Sequence, residues 1–121
     1  MHTRIHASAI RKSQKPSRIL SRKALNEFVQ SFLSDLNADG FNVHRAILFG
    51  SYVNGSPDAS SDVDLAVWAD GFEGNRMLDF EKIKHILRNY LKLEIHPYTP
   101  EDTKDTDPFI DIIEKTGRVI A

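Results

Sequence analysis

Two aspartates, Asp62 and Asp64, stand one residue apart in an otherwise apolar run, Ser61-Asp62-Val63-Asp64-Leu65-Ala66-Val67-Trp68. Side chains alternate across a strand, so both aspartates point to one face while Val63, Leu65 and Val67 point to the other. Aspartate is depleted in strands, and two carboxylates about 6 to 7 Å apart at Cα repel each other unless a cation or water separates them. A divalent cation resolves the conflict. Mg²⁺, or Mn²⁺ in its place, favours carboxylate oxygens and keeps open positions for water and phosphate.

The turn ahead of this strand supplies the complementary half of a phosphate site. Gly50 lets the backbone approach a ligand, Ser51 offers a hydroxyl, and the residues after it can start a helical turn whose free N–H groups favour an anion. A cradle for phosphates and a pair of metal ligands are what Mg²⁺-assisted phosphoryl chemistry on a nucleoside triphosphate requires. Other motifs fail on the same letters. Gly50 to Gly55 has P-loop spacing, but Ser56-Pro57 stands where Lys-Ser/Thr belongs. An EF-hand beginning at Asp58 would need glycine at Val63 and glutamate at Ala69. Asn54-Gly55-Ser56 matches a glycosylation sequon, which means little in a chain without a secretion signal.

Gly50-Ser51, then Gly55, then Ser61-Asp62-Val63-Asp64-Leu65 resembles the signature of the nucleotidyltransferase superfamily, in particular its minimal nucleotidyltransferase branch. The resemblance runs from about Val43 to Val119. It implies a third carboxylate on a later strand with apolar flanks, and Leu93-Glu94-Ile95 fits. The following His96-Pro97-Tyr98-Thr99-Pro100-Glu101-Asp102 looks like the family's next segment. By alternation Glu94 and His96 share one strand face. If that strand lies beside the Asp62 strand, Glu94 reaches the same metal cluster or accepts a proton from the attacking hydroxyl. His96 reads as a neighbour of the site and not as a ligand. The chain departs from the pattern at Asn54, where many relatives carry Arg or Lys.

The resemblance thus implies an Mg²⁺-dependent transfer of a nucleoside monophosphate, AMP from ATP, to a hydroxyl acceptor, with pyrophosphate released. Asp62, Asp64 and Glu94 are its metal and catalytic residues, and Gly50 with Ser51 holds the nucleotide phosphates. It also implies an alternative. Proteins of this branch often pair with a helical HEPN-type toxin, so the chain could be a catalytically weak, nucleotide-binding antitoxin-like module that neutralises such a toxin by binding.

These residues need elements to hold them. Leu25, Phe28, Val29, Phe32, Leu33 and Leu36 recur at helical spacing, with Ser21 placed to cap the start and Gly40 the end. Val43 to Phe49 reads as a first strand closed by Gly50, and Asp62 to about Ala69 as a second. Leu78, Ile83, Ile86, Leu87, Tyr90 and Leu91 mark another amphipathic helix, with Lys82, Lys84 and Arg88 toward water. Leu93 to Tyr98 is a third strand, stopped by Pro97 and Pro100. Glu101 to Asp107 is a loop, and Phe109, Ile112 and Ile113 form the stripe of a last helix ended by Gly117. The pattern predicts an α/β (α+β) domain, a small mixed sheet with helices packed on it.

With 121 residues, 16 Lys+Arg and 17 Asp+Glu, the composition is that of one modest globular domain. Cysteine is absent, which excludes disulfides and thiolate metal sites. No apolar run approaches the roughly 18 residues of a membrane span, so a cytoplasmic protein is expected. Residues 1–20 read as a basic, solvated tail, and a single domain is expected over 21–121. Arg4, Arg11, Lys12, Lys15 and Arg18 lie in that tail, with Arg22 and Lys23 just beyond it and no acid among them. No aromatic residue interleaves these charges, which argues against nucleic acid as a partner.

Overall fold

The computed structural model describes residues 19–121, so nearly all of the basic tail lies outside the described residues. Helix α1, Arg22–Ala38, starts where the Ser21 hydroxyl accepts the N–H of Ala24 at 3.1 Å. It buries Leu25, Val29, Phe32, Leu33 and Leu36, as their spacing requires. After Asp39, Gly40 turns the chain at φ +96°, a conformation that needs no Cβ.

Four strands follow: β1, Val43–Phe49; β2, Val63–Ala69; β3, Leu93–Tyr98; and β4, Arg118–Val119. They lie in the order β3-β2-β1-β4. β1 runs antiparallel to β2 and β4, while β2 and β3 are parallel. A parallel pair needs a crossover, and helix α3, Arg76–Leu87, provides it. The one-turn helix α2, Ser51–Asn54, links β1 to the loop before β2, and helix α4, Phe109–Thr116, leads into β4. The expected mixed sheet with packed helices is the fold.

The sheet has two covered faces. On one, Ala46, Leu48, Val63, Leu65, Val67 and Ile95 pack against α1 and α3. On the other, Ile47, Phe49, Ala66, Trp68 and Tyr98 meet Ile110 and Ile113 of α4. The face that carries Asp64 is therefore open only at one end of β2. Beyond Ala66 it is core, because α4 lies over it.

Two helix faces differ from the expectation. The inward side of α3 carries Asp79, Ile83 and Ile86, followed by Tyr90 in the turn after the helix, while Leu78 and Leu91 are exposed. Asp79 takes an inner position because its carboxylate accepts the N–H groups of Glu73, Gly74 and Asn75 at 2.9 to 3.1 Å, which satisfies it away from water. In α4 the buried residues are Ile110 and Ile113, Ile112 faces outward, and Phe109 is partly exposed against Phe49 and His96. Among the described residues, no helix is long and apolar enough to cross a membrane.

Candidate active site

β1 ends and β2 begins at the same edge of the sheet, since Phe49 pairs with Asp64. Gly50 follows at φ +82° and caps α2, accepting the N–H groups of Val53 and Asn54 at 2.9 Å. Two constraints reserve this position for glycine. Its φ is strained for any L side chain, and a Cβ here would run into the Asp64 carboxylate. The phosphate-cradle turn and the carboxylate motif, read separately from the sequence, are pressed together. Ser51, partly exposed, is the first residue of α2.

Asn54 has a structural task. Its Nδ2 donates to the Thr116 carbonyl at 2.7 Å and ties α2 to the end of α4. The loop into β2 is folded by its own side chains. Asp58 accepts the Ser60 N–H at 2.8 Å and the Ser60 hydroxyl at 2.7 Å, and Ser61 Oγ accepts the Asp58 N–H at 2.9 Å. The Ser60 hydroxyl, then the Ser60 backbone, hold the Asp58 carboxyl below its ordinary value. This turn delivers half-buried Asp62 directly ahead of β2.

Lys92, which the sequence reading passed over, is fully buried. Its Nζ donates to the Ala59 carbonyl at 3.3 Å and lies 6.0 Å from the Tyr52 ring centroid. The start of β3 is thereby fastened both to the loop that carries Asp62 and to α2.

Glu94 lies where the resemblance placed it, in register with Asp64 across the parallel β2/β3 pair. Adjacent strands are about 4.8 Å apart, and side chains at paired positions share a face. His96 comes two residues later on that face, its Nε2 3.8 Å from Asp64 Oδ1. The rings of Phe49 and Phe109, with centroids 4.9 and 5.9 Å away, hold the imidazole from the sides. His96 is thus a neighbour of the carboxylate, as expected.

Glu94 is paired with Arg76, the first residue of α3. Sequence reasoning missed this arginine. A signal existed: a cation in the first turn of a helix opposes the macrodipole and asks for another reason to be there. With Glu94 turned to Arg76, no three His, Asp or Glu side chains converge as a metal-holding group among the described residues. The donor chemistry still suits a hard divalent cation, with carboxylate oxygens on adjacent strands and a glycine that leaves room beside Asp64.

Arg76, His96, Tyr98, Asp107 and Phe109 line a cavity of about 330 Å³ next to this pair. The Tyr98 hydroxyl donates to Asp107 at 3.1 Å. Burial, then the Asp107 acceptor, pushes the hydroxyl well above the ordinary tyrosine value, so Tyr98 keeps its proton at neutral pH.

No curated protein matches the chain. A family model described as polymerase beta, nucleotidyltransferase matches residues 32–121, which takes in every strand and all five candidate residues from Gly50 to Glu94. With the fold and the paired motifs in agreement, the chain belongs to the polymerase beta nucleotidyltransferase family.

Proposed function

We propose that this chain transfers AMP from ATP to a hydroxyl group of a partner protein and releases pyrophosphate. One observation carries the reading: Gly50 and Asp64 are so close that no Cβ fits between them, and Glu94 stands one strand further along. Gly50 and Ser51 hold the β and γ phosphates through backbone N–H groups and a hydroxyl. Asp62, Asp64 and Glu94 are the oxygen ligands for Mg²⁺ or Mn²⁺. A cation held by them would supply positive charge against the phosphates. The acceptor oxygen forms its bond to the α phosphorus as the bond from that phosphorus to the bridging oxygen breaks. The electron pair leaves with pyrophosphate, and the acceptor proton passes to the Glu94 carboxylate. His96 keeps Asp64 oriented.

The openness of the site supports a macromolecular acceptor. Helices α1 and α3 cover one sheet face and α4 the other, which leaves Glu94 and Arg76 43% and 58% exposed. An acceptor that brings its own binding surface fits so open a site. By resemblance we favour a tyrosine hydroxyl on a helical HEPN-type partner, in the cytoplasm where ATP is supplied. A second reading, neutralisation of that partner by binding alone, is favoured by Asn54, whose amide is committed to Thr116.

Incubation with α-labelled ATP, Mg²⁺ and the partner tests both. Transfer of label to the partner, lost in Asp64→Asn, supports the enzyme. A tight complex that never becomes labelled sinks it in favour of occlusion.

A further inference from the structure

Arg76 is anchored at its backbone and loose at its charge. Buried Asp79 accepts the N–H groups of Glu73, Gly74 and Asn75, and Asn75 Oδ1 accepts the Leu78 N–H at 3.0 Å, so the start of α3 is fixed. The side chain is 58% exposed and borders the 330 Å³ cavity, which gives the guanidinium room to move. It rests on Glu94, the carboxylate in register with Asp64. A divalent cation and this guanidinium therefore compete for the same oxygens.

We propose that Arg76 is a two-position residue of the nucleotide site. It neutralises Glu94 while the site is empty, and it moves to the phosphates of the nucleoside triphosphate when Glu94 is taken up by a divalent cation. This rests on the nucleotidyltransferase reading above. The planar fork of arginine matches carboxylate and phosphate alike. A half-exposed ion pair is weakly held, so the exchange is open energetically. Neither Glu94 nor Arg76 is left without a counter-charge in either position. The pair thus couples cation binding to nucleotide binding, each favouring the other.

ATP affinity in EDTA tests this without turnover. Glu94→Gln releases Arg76, and cation-free ATP binding is expected to tighten about fivefold or more. Arg76→Gln added to Glu94→Gln abolishes that gain. Arg76→Gln alone changes cation-free affinity little, because in the wild-type chain the guanidinium is already held. In parallel, Mn²⁺ binding without nucleotide, followed by electron paramagnetic resonance, should tighten in Arg76→Gln, since a competitor is gone. Equal losses from Arg76→Gln in both backgrounds, or Mn²⁺ affinity unchanged, overturn the exchange while Mg²⁺-ATP binding stays intact. Failure of the wild-type chain to bind Mg²⁺-ATP overturns the nucleotidyltransferase reading and this proposal together.

Discussion

Gly50 and Asp64 share one small volume: the carboxylate occupies the space where a side chain on residue 50 would have to begin. Gly50→Ala meets both this collision and a positive φ. The variant should lose about 1 to 3 kcal/mol of stability, read as a lowered urea midpoint, and its Asp64 carboxylate should be displaced. Wild-type stability together with wild-type Mg²⁺-ATP affinity in the alanine variant would show that the turn is not fixed as described.

Asp62→Asn and Asp64→Asn should separate binding from folding. The side of β2 that packs against α1 and α3 is made by Val63, Leu65 and Val67, which neither substitution touches. Both variants are expected to melt near the wild-type temperature and to lose Mg²⁺-dependent ATP binding. Wild-type affinity in both would remove the carboxylate pair from the site.

Asp79→Asn should damage the fold more than its conservative appearance suggests. The amide presents N–H groups to a nest of backbone N–H donors that now meet two carboxylate oxygens. Leaving such buried donors unsatisfied costs about 1 to 3 kcal/mol. Chemical denaturation measures the loss. If Arg76 depends on this anchor, the variant should also shift Mn²⁺ affinity in the direction of Arg76→Gln.

Tyr98 makes stability depend on pH at the alkaline end. Its hydroxyl titrates above the ordinary 10.0 in the folded chain, because burial and the Asp107 carboxylate both oppose the phenolate. A group whose folded value is raised contributes fully below its unfolded value and loses that contribution as pH rises past it. Unfolding free energy should fall as pH climbs above about 10, and Tyr98→Phe should flatten that slope. An unchanged slope in the phenylalanine variant would assign the alkaline loss elsewhere.

Much of this molecule could be read from its letters. The bounds of β1 and β3 were legible because each is a short apolar run closed by a residue with a backbone reason to stop, Gly50 after β1 and Pro100 shortly after β3. Asp62-Val63-Asp64 was legible because charge inside a strand conflicts with burial. The inner faces of α3 and α4 were not. An apolar count passes over Asp79, whose burial depends on three N–H groups from a preceding loop, and it does not say which of Phe109, Ile110 and Ile112 an already formed sheet will cover. The Arg76–Glu94 pair lay beyond reach for another reason. It spans 18 residues and exists only because α3 crosses over to make β3 parallel to β2.

The outer strands of the sheet have a bearing on company. β3 carries Pro97, which has no N–H to offer a neighbouring strand, and β4 is a two-residue strand, its pairing with β1 carried on only by the backbone of Ile120 and Ala121 at Ala46. Both borders are poor templates for strand addition. Zipper-like growth between copies is discouraged at the backbone level, and an extended peptide finds little ladder to join. Recognition through side chains is thereby favoured over strand addition.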